Sequence, residues 1–148
     1  GHARARLQVR HTVDVEAAAL IKALRRHLDD RGFPHVQALP VQERDVFPAS
    51  RTDADDPWVK LVERSMTLTA GRAPNLVPNI GASGPSALFR EELGTPVMWL
   101  PFSYGGCSQH GPDEHGLGSL FREGLGLMAG IWWDVGEQHA TIAPQTGA

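Results

Sequence analysis

Residues 103–115 read Ser-Tyr-Gly-Gly-Cys-Ser-Gln-His-Gly-Pro-Asp-Glu-His and contain the single cysteine of the chain. An apolar run at 97–100 precedes this segment, and a pattern with helical spacing begins at Leu117. A polar, glycine-rich loop between a buried strand and a helix is where open α/β sheets place their chemistry, beyond the carboxyl end of the strand. The segment therefore predicts an α/β fold in which residues 103–115 form the functional loop.

The composition is typical of a globular protein that has no nucleic-acid partner. Hydrophobic residues make up 41% and charged residues 21% of the 148 residues, and the formal net charge is -3 at pH 7. This net charge argues against a nucleic-acid footprint, and no apolar run is long enough to cross a bilayer. One cysteine cannot form an internal disulfide, which favours a reducing, cytoplasmic setting.

The first part of the chain predicts a strand, a helix and a second strand. Apolar and polar residues alternate over residues 3–10, as they do in a half-buried strand. Apolar residues then recur at helical spacing from Val15 to about Arg31, and Gly32 is expected to end that helix. Residues 36–41 predict the second strand. These three elements are too small to bury a core alone, so they need another surface or another chain.

The second part predicts helices and strands in alternation, as in half of a doubly wound α/β sheet. Polar, turn-rich residues at 45–56 are interpreted as a junction before it. The expected elements are a helix from Pro57 to near Gly71, a strand at 75–77, a helix at 86–93, a strand at 97–100 and a helix from about Leu117 to Val135. Gly124 lies on the apolar stripe of the last helix, which predicts close contact between that helix and the sheet. Residues 136–148 predict a mobile tail.

His110 and the residues after it are the first candidates for chemistry. The segment His110-Gly-Pro-Asp-Glu114 presents an imidazole at a sharp turn where proline restricts the backbone, and a zinc ligand needs such rigid presentation. The alternative is a histidine that only forms hydrogen bonds within its loop. Asp113 and Glu114 either support a metal ligand or favour the N-terminus of the following helix.

Cys107 allows two further interpretations. Cys107 and His110 have the spacing of half a zinc clip, but a structural zinc site needs four ligands. Cys107 is alternatively a nucleophile that His110 activates. Residues so close in one loop rarely have the necessary geometry, and inert packing is the commoner role of a lone cysteine.

Two other features suit an anionic ligand. The loop Gly-Ala-Ser-Gly-Pro at 81–85 precedes a predicted helix, whose first N–H groups can receive a carboxylate or phosphate. It is not a phosphate-binding P-loop, because no Gly-Lys-Ser/Thr follows. Arg10 ends the polar face of the first strand and can bind a carboxylate through two N–H groups. The plain alternatives are an ordinary turn and a solvated surface arginine.

Four motifs in this order resemble the superfamily of zinc-dependent exopeptidases and deacylases that includes aminoacylase, carnosinase (cytosolic dipeptidase), acetylornithine deacetylase and succinyl-diaminopimelate desuccinylase. The motifs are Arg10 between an alternating strand and an amphipathic helix, Asp55-Asp56-Pro57 at a helix start, the loop 81–85, and the segment 110–114. The loop is similar to the family's Gly-Gly-Ser-x-Pro, and the last segment matches its His-x-Pro-Asn/Asp-Glu. The resemblance extends from about Ala3 to Val135.

The resemblance implies two domains and a homodimer. Residues 3–46 would be the second half of a ferredoxin-like lid that mediates dimerisation, and residues 47–56 a linker. Residues 57–135 would be the C-terminal part of a doubly wound α/β metallopeptidase catalytic domain. In the family that domain binds two metal ions, usually zinc, and imidazole and carboxylate ligands also suit manganese or cobalt.

The resemblance also implies roles for individual residues. His110 resembles the last metal ligand, and Arg10 resembles the lid arginine that holds the carboxylate of the substrate. Gly81, Ala82 and Ser83 resemble the backbone cradle beside that arginine. Asp113 and Glu114 would orient the ligand or cap the following helix.

Several family features are absent from this sequence, which bears on activity. The His-x-Asp metal motif, the bridging Asp, the Glu-Glu pair and the lid histidine have no counterpart, and Ala82 replaces the second glycine of the loop. No catalytic residue is therefore assigned in this chain, which we interpret as a C-terminal fragment that is inactive and binds no metal tightly by itself. The parent is expected to be a metal-dependent amidohydrolase or peptidase that hydrolyses dipeptides or N-acyl amino acids. The alternative is a non-catalytic lid, dimerisation or partner-binding module.

Overall fold

The structure is a computed structural model that describes residues 1–39, 47–82 and 84–142. Within these ranges the chain forms four helices and no strand. The helices are α1 (Ala17–Asp30), α2 (Pro57–Ala70), α3 (Ser86–Leu93) and α4 (Gly118–Ile142). The predicted α/β fold is therefore wrong, both for the strand–helix–strand half of a ferredoxin-like lid and for the doubly wound catalytic domain.

The predicted strands adopt irregular backbone in the part of the chain that the structure describes. In the first of them, Leu7 and Val9 are 71% and 59% exposed. Residues 75–77 and 97–100 are likewise neither helix nor strand, and residues 40 and 41 of the second predicted strand lie outside the described residues. A strand is stable only beside another strand that satisfies its N–H and C=O groups. An alternating sequence shows which side chains would be buried if the segment lay in a sheet. It does not show whether another strand lies beside the segment and pairs with it.

The helices lie in two compact units. One unit comprises Gly1–Arg51 and Pro78–Val97 and contains α1 and α3. The other comprises Thr52–Val77 and Met98–Ala148 and contains α2 and α4. The chain passes between the units three times, after Arg51, after Val77 and after Val97, and the first of these passages lies in the segment interpreted as a linker.

Helix α1 is held by local contacts in the first unit. It begins two residues later than expected, after Glu16, whose side chain does not cap the helix. None of its residues is buried. Arg25 donates from Nε and Nη2 to the carbonyl oxygen of Ala38, at 3.1 and 2.8 Å, which ties the residues after the helix back to its surface.

Helix α2 has the predicted start and end. The Asp56 carboxylate accepts a hydrogen bond from the Trp58 N–H at 2.8 Å, and Pro57 occupies the first helical position. The carboxylate satisfies one N–H group that lacks a partner within the helix, and proline has no N–H group at a position where it would lack a partner. Gly71 ends the helix with a φ of 69°, a left-handed conformation that glycine adopts without steric strain.

Helices α2 and α4 pack together and form the core of the second unit. Leu61 and Ser65 on α2 are each 1% exposed, and Leu127 and Ile131 on α4 are also buried. Gly124 lies on the same side of α4, where a Cβ atom would be 2.6 Å from Cε1 of Phe102. The close approach predicted at Gly124 therefore involves an aromatic ring and not a sheet.

Helix α4 is longer than the sequence predicts. It continues past Val135 to Ile142, through residues assigned to the tail, and residues 143–148 lie outside the described ranges. Glu137, Gln138 and Ala140 are good helix formers, so Gly136 does not end the helix. Among the helices described, none combines the length and the apolar composition needed to cross a membrane.

Candidate functional site

The loop that contains His110 lies in the second unit and is closed by its own backbone. The N–H of Cys107 donates to the carbonyl of Tyr104 at 3.1 Å, and the N–H of His115 donates to the carbonyl of Cys107, also at 3.1 Å. The Cys107 side chain is 5% exposed and anchors the loop. These contacts join the two ends of residues 104–115, so the loop can hold a defined shape although it contains no regular secondary structure.

Tyr104 and His115 form the main side-chain contact of this loop. The Tyr104 hydroxyl is 2.6 Å from His115 Nε2, and His115 Nδ1 is 2.8 Å from the carbonyl oxygen of Asp113. A carbonyl oxygen only accepts, so Nδ1 carries the proton of the neutral imidazole and Nε2 accepts the proton of the tyrosine. The two rings also meet edge to face, with centroids 5.7 Å apart. Both nitrogens of His115 are thus engaged within the loop.

Left-handed backbone conformations concentrate around His110. The φ angles of Ser108, His110 and Asp113 are 54°, 62° and 59°. Each such conformation costs a residue other than glycine about 1–3 kcal/mol, so the surrounding contacts must hold it in place. One of these contacts is the hydrogen bond from the N–H of Gly111 to the carbonyl of Ser108, at 2.7 Å. These contacts hold His110 at a tight, exposed turn in spite of the strain.

The two carboxylates beside His110 act within the loop. Glu114 accepts a hydrogen bond from the His110 N–H through Oε2 at 3.3 Å. Asp113 contributes its backbone carbonyl to His115. Helix α4 begins only at Gly118, and its first turn contains no acidic residue. The hydrogen bonds recorded for these two residues are therefore made inside the loop and not at the helix N-terminus.

A metal ion would find few ligands in this loop. Across residues 1–39, 47–82 and 84–142, no three His, Cys, Asp or Glu side chains lie close enough together to hold one. Both nitrogens of His115 already take part in hydrogen bonds, and Cys107 is buried. His110 and His115 are both exposed, but His115 is engaged through both ring nitrogens, so His110 is the remaining imidazole of the loop, and one imidazole does not form a metal site.

The first unit brings together two of the residues expected to bind a substrate carboxylate. Arg10 Nη1 donates to the carbonyl oxygen of Gly81, across 71 residues of sequence. Arg10 Nη2 donates to Oε1 of Gln8 at 3.3 Å, which orients the guanidinium. Ala82 lies next to this contact in the chain and is exposed, whereas Ser83 lies outside the described residues.

Sequence reasoning assigned no role to Tyr104. A signal for it existed, since it is the single tyrosine of the chain and stands eleven residues before His115 at the other end of a glycine-rich loop.

Among the described residues, one unit thus contains an arginine paired with a glycine-rich turn, and the other unit contains the strained loop around His110. Comparison of the chain with protein-family models, curated proteins and solved structures found no match.

Proposed function

We propose that this chain contributes part of the substrate site of a metal-dependent amidohydrolase or peptidase that acts on dipeptides or N-acyl amino acids. The observation that carries the proposal is the contact between Arg10 and Gly81. The zinc exopeptidases and deacylases that the sequence resembles pair an arginine with a glycine-rich turn to hold the carboxylate of the substrate. A contact between residues so distant in sequence supports the same pairing here.

The chemistry of this pair suits a free carboxylate. The planar guanidinium offers N–H groups that match the two oxygens of a carboxylate, and a charged acceptor forms a stronger hydrogen bond than a neutral carbonyl. A substrate carboxylate would replace the Gly81 carbonyl as the acceptor at Nη1. Gln8 would keep the guanidinium oriented through Nη2 during that exchange.

The second part of the proposal concerns His110. In the family that this sequence resembles, the histidine that corresponds to His110 is one ligand of a two-metal site that holds zinc, manganese or cobalt. The described residues of this chain do not fit such a site by themselves, since no group of three ligating side chains is present among them. His110 would serve as one ligand of a site that a longer parent protein completes. The chain alone is therefore expected to hydrolyse no substrate. We also propose that the protein acts in the cytoplasm.

A second candidate function is a non-catalytic module that binds a partner or forms a homodimer. The observation that favours it is the set of large apolar side chains exposed on α4, among them Leu125 and Trp132. Exposed apolar surface of this kind commonly marks an interaction site.

Binding of small carboxylates tests the first proposal. We expect an N-acetyl amino acid to perturb the NMR signals of Arg10 and Gly81, and the corresponding N-acetyl amino acid amide to leave them unchanged. Arg10→Lys should weaken the binding because a lysine cannot bind both oxygens in a fixed plane. Arg6→Lys, on the same exposed segment, is the matched control and should have no effect. Equal binding of acid and amide would contradict the proposal.

A further inference from the structure

Helix α4 is apolar on two sides. One side carries Leu127 and Ile131, which are buried in the unit formed with α2. Another side carries Phe121, Leu125 and Trp132, which are 55%, 72% and 71% exposed. The outer side of an ordinary surface helix is polar, whereas a helix that is apolar around most of its circumference is normally covered on both sides.

The exposed side has the spacing of a helix-pairing surface. Apolar residues along this side follow one another at intervals of four, three, four and three; they are the exposed Phe121, Leu125 and Trp132 and the half-buried Met128 and Val135, which together we call the outer stripe. This alternation is the pattern of the a and d positions of a heptad, which keeps one face of a helix against another helix.

We propose that the outer stripe pairs with the same stripe of a second copy of this chain. At their observed exposures, Phe121, Leu125 and Trp132 offer roughly 400 Å² of surface on each chain. A pair of chains would bury up to about 800 Å² of it, which is the size of a small interface and suits a weak, reversible dimer. The stripe is free of charge along its length, so two copies meet without desolvating an ion.

The side chains favour an antiparallel arrangement. In antiparallel pairing with a and d residues in the same layer, Trp132 faces Phe121 of the second copy and Leu125 faces Met128 of the second copy. The aromatic pairs at the two ends can then pack edge to face, an arrangement that adds to the gain from the area they bury. Parallel pairing would instead place Trp132 against Trp132 of the second copy. The contact would extend over about 17 Å of helix.

The inference deepens the second candidate function and rests on it. It is independent of the proposed substrate site, because the two share no residue. Sedimentation of the chain from low to high micromolar concentration tests it. We expect a reversible monomer–dimer equilibrium in the wild type, and a monomer throughout the range for Leu125→Glu. The matched control is Leu93→Glu on α3, where the leucine is 65% exposed, and this variant should dimerise like the wild type.

A cross-linking experiment keeps the proposal falsifiable if Leu125→Glu loses helix content by circular dichroism. Chains with Leu125→Cys, mixed with chains with Met128→Cys, should form a disulfide between the two positions under mild oxidation. Either variant alone should cross-link much less, since each new cysteine would face a methionine or a leucine. A wild type that stays monomeric, a dimer that survives Leu125→Glu in a folded chain, aggregates without fixed stoichiometry, or no cross-link in the mixture would each overturn the proposal and leave the stripe to another occupant.

Discussion

The hydroxyl of Tyr104 lies 2.6 Å from Nε2 of His115, and this hydrogen bond links the two ends of the loop that contains His110. The other nitrogen of the same imidazole is held by the carbonyl oxygen of Asp113. The pair therefore fixes the tautomer of His115 and contributes to the strained conformation of the residues between.

Replacing Tyr104 with phenylalanine tests this role. The ring remains, but His115 Nε2 loses its donor, and the free energy of unfolding should fall by about 0.5–1.5 kcal/mol, toward the lower value because the pair is exposed. Urea denaturation measures the loss, and the ¹⁵N chemical shifts of the His115 ring report the tautomer. Ser103→Ala is the control beside it. Unchanged ring shifts in Tyr104→Phe would show that the hydrogen bond does not set the tautomer.

Alanine at Gly124 should destabilise the second unit. Its Cβ would lie 2.6 Å from Cε1 of Phe102, so the ring must move, and overpacking of this kind costs about 1–3 kcal/mol. Gly126→Ala is a matched control in the same helix, because a Cβ there meets nothing within 4 Å. The control should gain up to about 1 kcal/mol from the better helix propensity of alanine. Equal unfolding free energies for the two variants would contradict the close contact with Phe102.

Alanine at Asp56 should weaken the start of α2. The carboxylate accepts the N–H of Trp58, and loss of such a cap typically costs about 1 kcal/mol. Asp55→Ala is the control, since its carboxylate is 3.2 Å from Lys60 Nζ and 90% exposed, and exposed ion pairs contribute little. Thermal unfolding should therefore shift for Asp56→Ala and scarcely change for Asp55→Ala. The opposite order would indicate that the ion pair, and not the cap, stabilises this helix end.

Metal content provides a test of the fragment interpretation. After dialysis the chain should retain only substoichiometric zinc, because the described residues offer no set of three ligands and His110 alone binds weakly. Dipeptidase assays with added zinc or manganese should stay at background, since no general base is assigned in this chain. Tight stoichiometric zinc together with turnover would refute the interpretation.

Helix ends with local signals could be read from the sequence. The Asp56-Pro57 start and the Gly71 end of α2, and the bounds of α3 before Gly94, depend on caps and φ preferences that act within one turn. The predicted end of α4 at Val135 is wrong: the helix continues to Ile142, because good helix formers follow Gly136. Local propensity therefore predicts where helices lie better than where a long one ends.

The strand predictions failed for a different reason. The alternation over residues 3–10 is present in the sequence, yet Leu7 and Val9 are exposed because no strand within residues 1–39, 47–82 and 84–142 covers or pairs with that segment. Whether an alternating segment becomes a strand depends on hydrogen bonds to another segment, which the alternation itself does not contain.

The sequence by itself determined the local features of this protein: the four segments with helical periodicity, the caps of α2, and a glycine-rich loop in which proline and tight turns expose His110. Only the tertiary structure decided which of these features meet. The contact of Arg10 with Gly81 crosses 71 residues, and the Tyr104–His115 pair forms through the folding of its loop. Helix caps and helical periodicity depend on residues about one turn apart, so they can be recognised in the sequence. A contact between distant residues costs chain entropy, and it forms only where the interactions of the whole folded chain compensate for that loss.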